Sequence, residues 1–290
     1  MKDFQTIVVY SSLKNKKVEE IALQIFEIVE SEGIKVILTE DSTFKINSKK
    51  YKTYKDATIL KKADLIISIG GDGTLLSAAR RFGNNGLPLL GINLGNIGFL
   101  TDIAPLDLTS ALLDVINGNY FIDERIFLEA SINNLKSNFL ALNEVVLHSG
   151  LVAQMIEYEL FIDNNFVYRQ KADGMIISTN TGSTAYALSG NGSIVHPNVK
   201  GITLLPMFPH SLNARALIVG EDSSIQIRIS RVGKAKLSMD SHLNLNLKGG
   251  DVVNIKKSSS KLKLVHPKDH DFFSACRNKL GWSLGIINKE

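Results

Sequence analysis

Residues 70–74 read Gly-Gly-Asp-Gly-Thr, one carboxylate set among three glycines, directly after the apolar run Leu65–Ile69. Glycines let the backbone take positive φ and come close to a ligand. A helix starting near Thr74 would aim unpaired N–H groups and its positive dipole end at an anion. The pattern is a phosphate cradle. It is not a P-loop, because no Gly-Lys-Ser/Thr follows, and it is not the G-x-G-x-x-G fingerprint. Asp72 separates it from a passive cradle, since a carboxylate beside phosphates repels them. It makes chemical sense if it coordinates Mg²⁺ or takes a proton from an attacking hydroxyl. The plainer alternative is an aspartate that shapes a turn.

Other residue types offer less by themselves. Six histidines (148, 196, 210, 242, 266 and 270) show no zinc spacing, and Pro267 between the last two argues against one helical face, so no structural metal is expected. The single cysteine, Cys276, excludes an intrachain disulfide and points to a reducing compartment, the cytosol. The N-terminal apolar run Ile7–Tyr10 is too short for a signal peptide, and no window of about 18 apolar residues suggests a membrane span.

The elements that must position Asp72 alternate between strand and helix patterns. Strands are expected at 7–10, 36–38, 65–69 and 89–92, with helices at 18–30, 74–81 and 108–117. A second glycine and asparagine turn, Asn93 to Gly98, follows the last of these strands. This βαβ order predicts a parallel sheet with covering helices. From about residue 121 the period changes to two. Ile156–Leu160, Ile225–Ile229 and Leu243–Leu247 alternate apolar with polar, and Asp163-Asn164-Asn165 is a hairpin turn. Val252–Ile255 and Leu262–Val265 close the series. The expectation is an α/β protein: a Rossmann-like α/β domain over 1–120, then an all-β, sandwich-like domain over 121–268. A tail, 269–290, would pack back on the first domain.

Composition agrees with a packed globular chain: 290 residues, 44% hydrophobic and 21% charged, with a net charge of +4. The positive excess is mild. The lysines at 49, 50, 52, 55, 61 and 62 read as a solvated loop and helix face, so no nucleic-acid partner is expected.

Several blocks carry a resemblance. Gly70–Thr74 resembles the motif shared by NAD kinases, diacylglycerol and sphingosine kinases and, more distantly, phosphofructokinases. Gly91–Gly95 with Gly98-Phe99-Leu100, and Leu142-Asn143-Glu144-Val145, are similar to NAD kinase blocks. So are Asp173-Gly174, Thr181-Gly182-Ser183-Thr184-Ala185-Tyr186, Pro206–Leu212 and Leu280-Gly281-Trp282. The order and spacing match over nearly the whole chain, and the likeness is to bacterial, ATP-using NAD kinases. Departures stand at Asn180, where the family commonly has proline, at Gly190–Ser193 in place of Ala-Gly-Gly-Pro, and at Asp240-Ser241-His242 in place of Asp-Gly-Gln. Losing the prolines is expected to loosen two turns, by a few tenths to about 1 kcal/mol each.

The resemblance implies transfer of the ATP γ-phosphoryl group to the 2′-hydroxyl of the adenosine ribose of NAD. It implies Mg²⁺, or another divalent cation, carried in with ATP. Asp72 would be the general base, with Gly71, Gly73 and Thr74 at the phosphates. Asn143 and Glu144 would grip the adenosine, the amide at a base edge and the carboxylate at ribose hydroxyls. Asp173 and Thr181, Gly182, Ser183, Thr184, Ala185, Tyr186 and Ser189 would line the rest of the dinucleotide site. Lys171 would meet a phosphate or distinguish oxidised from reduced nicotinamide, and His242 would stand at an amide's binding position. A homodimer or homotetramer is implied, a neighbour lending part of the NAD site. Two rivals stay open: a lipid kinase using the same turn, and a non-catalytic NAD sensor.

Overall fold

The computed structural model describes residues 3–42, 44, 50–95, 98–101, 103–133, 139–151, 154–230 and 235–282. Positions 96 and 97 of the second glycine turn, Lys49, and 283–290 of the tail lie outside the described residues. The chain forms two compact units, Met1–Glu124 with Lys261–Glu290, and Arg125–Ser260.

In the first unit the elements run β1 (Thr6–Tyr10), α1 (Lys16–Ser31), β2 (Lys35–Thr39), β3 (Lys52–Tyr54), α2 (Asp56–Lys62), β4 (Leu65–Ile69), α3 (Asp72–Arg81), β5 (Leu89–Ile92) and α4 (Leu108–Ile116). β6 (Tyr120–Ile132) carries the chain out of this unit. In the second unit follow β7 (Phe139–Ala141), β8 (Glu144–His148), β9 (Ile156–Ile162), β10 (Asn165–Ala172), β11 (Gly174–Ser178), α5 (Tyr186–Ser189), β12 (Gly201–Met207), β13 (Leu217–Gly220), β14 (Ile225–Ile229), β15 (Ala235–Met239) and β16 (Leu243–Leu247). β17 (Val252–Pro267) brings the chain back, and α6 (Phe272–Leu280) follows.

The first unit holds a parallel sheet in the order β3-β2-β1-β4-β5, with the far end of β17 beside β5 at Leu264 and Leu89. This is a doubly wound order, and it reverses direction between β1 and β4. β4 is buried at every position, as a strand covered on both faces must be. α1 turns Val18, Ile21, Ala22, Ile25, Phe26 and Val29 inward at helical spacing, and the Asn15 side chain caps it by accepting from Val18 N at 3.0 Å. The lysine-rich stretch contains an edge strand and a short helix, β3 and α2, where the pattern suggested loop and helix only. Lysine on an edge strand discourages further pairing.

The helix after the glycine turn begins at Asp72, not near Thr74. Gly71 takes the extended N-cap conformation, and an acidic residue in the first turn suits the dipole. α6 is capped by the Asp271 carboxylate, which accepts from Phe273 N and Ser274 N, and it ends at Gly281 with φ of 67°. Its Ala275 and the buried free thiol Cys276 pack with Phe99.

The second unit is a sandwich. One sheet runs β10-β9-β14-β17, with β6 and β7 attached; the other is β13-β12-β11-β8-β15-β16. Both turn alternate residues into one core. Tyr158, Leu160, Ile225 and Val253 come from the first sheet; Val145, Leu147, Met175, Ile177 and Leu237 come from the second. Burying each such side chain stabilises the fold by about 1.5–3 kcal/mol. The β9–β10 hairpin turns at Asp163 and Asn164, both at positive φ (50° and 65°), as a tight hairpin of this hand requires.

Candidate active site

The Asp72 turn lies where doubly wound sheets bind ligands, at the strand ends beside the order reversal. Ser11 and Ser12, just after β1, close its other side. Ser11 donates to the Ile69 carbonyl at 2.7 Å, and the Ser12 and Thr74 hydroxyls are 3.1 Å apart. The one sequence signal for this serine pair is a strand ending in two hydroxyls at a switch point. The N–H groups of Asp72 and Gly73, first in α3, have no upstream helical acceptor, the arrangement by which helix N-termini bind anions.

The Asp72 carboxylate is clamped by the second glycine turn. Oδ2 accepts from Phe99 N at 3.1 Å, and Oδ1 accepts from Leu100 N at 3.1 Å and from the Thr101 hydroxyl at 3.3 Å. A β-carbon at position 98 would overlap the carboxylate, so only glycine fits. Behind it, buried Asn93 donates to the Thr101 hydroxyl at 2.9 Å and accepts from Gly95 N at 2.8 Å.

In the second unit, Asp240 organises the Asn143-Glu144 pair. Its Oδ2 accepts from Leu142 N at 2.9 Å, and its Oδ1 accepts from Asn143 N at 2.8 Å and Glu144 N at 3.1 Å. Thr179 ties the same segment, donating its hydroxyl to the Leu142 carbonyl at 2.7 Å. The 3₁₀ turn Thr181–Thr184 sits directly on Asn143, and a β-carbon at Gly182 would strike the Asn143 carbonyl. Buried Arg125 donates to the Thr181 hydroxyl at 3.1 Å.

Asn180 does more than the expected proline would. It accepts from Thr181 N at 2.8 Å and donates to the carbonyls of Pro197 at 2.6 Å and Val199 at 3.2 Å. The loosening expected at this departure is met by these bonds.

Asn143 Oδ1 and Glu144 Oε2 are buried and have no hydrogen-bond partner among the described residues. Burial first, and the Asp240 charge second, push the Glu144 carboxyl up to about 7, while a bond from the Tyr186 backbone pulls it the other way. Burying such acceptors unsatisfied is costly, so each calls for a donor such as water or a ligand.

Tyr186 is 42% exposed at the start of α5. With Asp173, His148, Ser149, Ser241 and Asn244 it lines a cleft of about 460 Å³. Lys171 lines a different cleft, of about 470 Å³, with His210 and Arg215. Thr184 donates to the Thr181 carbonyl at 3.2 Å, Ala185 is half-buried, and Ser189 is exposed at the end of α5. His242 is exposed in the turn between β15 and β16, its N–H donating to the Met239 carbonyl at 3.0 Å. No three His, Cys, Asp or Glu side chains among the described residues are grouped to hold a metal, and no described helix is long and apolar enough to cross a membrane.

Two family models match this chain: the ATP-NAD kinase N-terminal domain over residues 7–120 and the ATP-NAD kinase C-terminal domain over residues 142–267. The NAD kinase of Teredinibacter turnerae is 39% identical over 288 residues, 98% of each chain. That of Escherichia coli O7:K1 is 44% identical over 257 residues, 87% of this chain and 88% of the other. Among solved structures, yeast NADH kinase complexed with NADH matches with a TM-score of 0.87 at 28% identity, over 99% of this chain and 89% of the other. An NAD kinase from Archaeoglobus fulgidus in complex with ATP matches with a TM-score of 0.74 at 25% identity, over 97% and 99%. With both domain models matched and relatives aligned end to end, the chain belongs to the ATP-NAD kinase family.

Proposed function

We propose that this ATP-dependent NAD kinase moves the γ-phosphoryl group of ATP onto the 2′-hydroxyl of the adenosine ribose of NAD, with Asp72 as the general base. The ribose oxygen forms the new P–O bond while the bond from γ-phosphorus to the bridging oxygen of ADP breaks. That electron pair leaves with ADP. The hydroxyl proton passes to Asp72, which later returns it to solvent. The observation that carries this reading is the seat of Asp72, a carboxylate fixed by three donors at the N-terminus of α3. A turn that only bound phosphate would be weakened by that charge.

A positioned base contributes about 10²–10⁴-fold. Positioning of the two substrates contributes much of the rest. Gly71, Gly73 and Thr74 are assigned to phosphates, and Asn143 and Glu144 to the adenosine. Asp173, Thr181, Gly182, Ser183, Thr184, Ala185, Tyr186 and Ser189 are assigned to the remaining dinucleotide surface, with Lys171 and His242 at its margins. A divalent cation fits as a companion of ATP: phosphate oxygens and water can satisfy Mg²⁺ with few protein ligands. Most of the acceptor capacity of Asp72 is already occupied. When bound, the cation supplies charge neutralisation at the β- and γ-phosphates. The enzyme acts in the cytosol as a dimer or tetramer in this reading, a neighbouring subunit lending part of the NAD site. The lipid-kinase and binding-only alternatives have no observation in their favour.

The test is incubation with NAD and ATP labelled at the γ-phosphorus. Label recovered on the ribose 2′-oxygen of NAD is the expected result. Measured NAD binding with no labelled product would refute the transfer reaction and leave a binding protein.

A further inference from the structure

We infer that Thr101 is a positioning residue for Asp72, and that its hydroxyl leaves Oδ2 of Asp72 as the atom that takes the substrate proton; this rests on the base role proposed above. Donors and lone pairs single out the oxygen. The Asn93 side chain is oriented by Gly95, whose N–H donates to Asn93 Oδ1 at 2.8 Å. Its amide nitrogen is therefore the end that faces Thr101, donating to the hydroxyl oxygen at 2.9 Å. A hydroxyl that accepts from Asn93 on one side has its own single proton to give on the other. The acceptor there is Asp72 Oδ1, at 3.3 Å.

Oδ1 also takes the Leu100 N–H at 3.1 Å, so its two lone-pair directions are filled. Among the described residues Oδ2 takes only the Phe99 N–H, at 3.1 Å, which leaves it one direction for a proton. Asn93 and Thr101 are both buried, at 4% and 0% exposure, so water does not compete for these bonds. The Gly98 N–H donates to the Thr101 carbonyl at 2.8 Å, which locks the turn that carries all three donors. Thr101 thus fixes the rotation of the carboxylate and blocks the wrong oxygen without touching a substrate.

The experiment measures kcat and KM for NAD and for ATP in the native chain, Thr101→Val, Thr101→Ser and Asp72→Asn. Thermal melting is read alongside, and the assay is run where all four are folded. If Thr101→Val melts too low, Thr101→Ala takes its place. The hydroxyl-free variant is expected to lose about 10-fold or more in kcat, with both KM values changed by less than about two-fold. Thr101→Ser is expected to recover most of the loss. A native kcat in Thr101→Val, a loss that serine does not restore, or a loss carried by KM would overturn the positioning role. Native turnover in Asp72→Asn would instead refute the base itself, whatever the Thr101 variants do.

Discussion

Asp240→Asn tests the ordering of the adenosine side of the site through its energetics. The native carboxylate accepts three successive backbone N–H groups, from Leu142, Asn143 and Glu144. An asparagine tolerates the positive φ of this position (43°). Its amide oxygen can keep the Asn143 and Glu144 bonds, but its NH₂ then faces the Leu142 N–H, donor against donor. One charge-assisted bond is lost and two become neutral, together about 2–4 kcal/mol of stability. The Asp240 charge also raises the Glu144 carboxyl, which lies at about 7. A carboxyl raised in the folded state stabilises the fold fully below about pH 4.5 and loses that contribution as pH rises through about 7. The whole swing is about 3 kcal/mol, part of it owed to Asp240. At pH 8 the native protein bears two neighbouring negative charges, and the substitution relieves that repulsion. At pH 5 Glu144 is already neutral, and there is nothing to relieve. Asp240→Asn should therefore cost more stability at pH 5 than at pH 8, in urea unfolding without ligand. An equal or larger cost at pH 8 would refute the coupling between the two carboxyls.

Three further outcomes are expected. Asn180→Pro gains about 0.4–1 kcal/mol from a stiffer unfolded chain, since φ at this position is −59°, but forfeits three side-chain hydrogen bonds worth about 1 kcal/mol each. Thermal melting should show net destabilisation, and a higher melting temperature would show that those bonds contribute little. Gly98→Ala forces a β-carbon against the Asp72 carboxylate and should lower kcat by about 10²-fold, with substrate KM values little changed; unchanged turnover would mean that the observed seat of Asp72 is not the working one. Glu144→Gln should remove the pH dependence near 7 from the KM for NAD, and a persisting inflection would assign it to another group.

Much of this was legible in the residues because the signals were local. β4 and β5 appear as Leu65–Ile69 and Leu89–Ile92, short apolar runs that end sharply at Gly70 and Asn93. The β9–β10 hairpin was readable from Asp163-Asn164 because positive φ selects few residue types. β3 was hidden because a three-residue edge strand of mostly exposed residues carries almost no periodicity. The true start of α3 was hidden because glycine is a poor helix former, and only the cap geometry shows that Gly73 lies inside the helix. The Asp72 motif could be seen at once, but its clamp could not. Thr101 and Leu100 lie 29 and 28 positions away, and nothing about their types announces a carboxylate partner. The same holds for Asp240, which reaches back 96 to 98 positions to the Asn143-Glu144 segment. At Asn180 residue type misled, because the departure from proline looked like a loss until its three bonds could be seen.

Turnover in this mechanism depends on transfer of the ribose proton to Asp72. The direct measurement is kcat for NADP formation from NAD and Mg-ATP, read through an NADP-specific dehydrogenase, for the native chain and Asp72→Asn. Asparagine keeps the size of the side chain and one of the two acceptor oxygens, its NH₂ meeting the Phe99 N–H, and cannot take a proton at neutral pH. A folded Asp72→Asn protein that still binds NAD should lose about 10²-fold or more in kcat. Turnover within a few-fold of native would contradict the account.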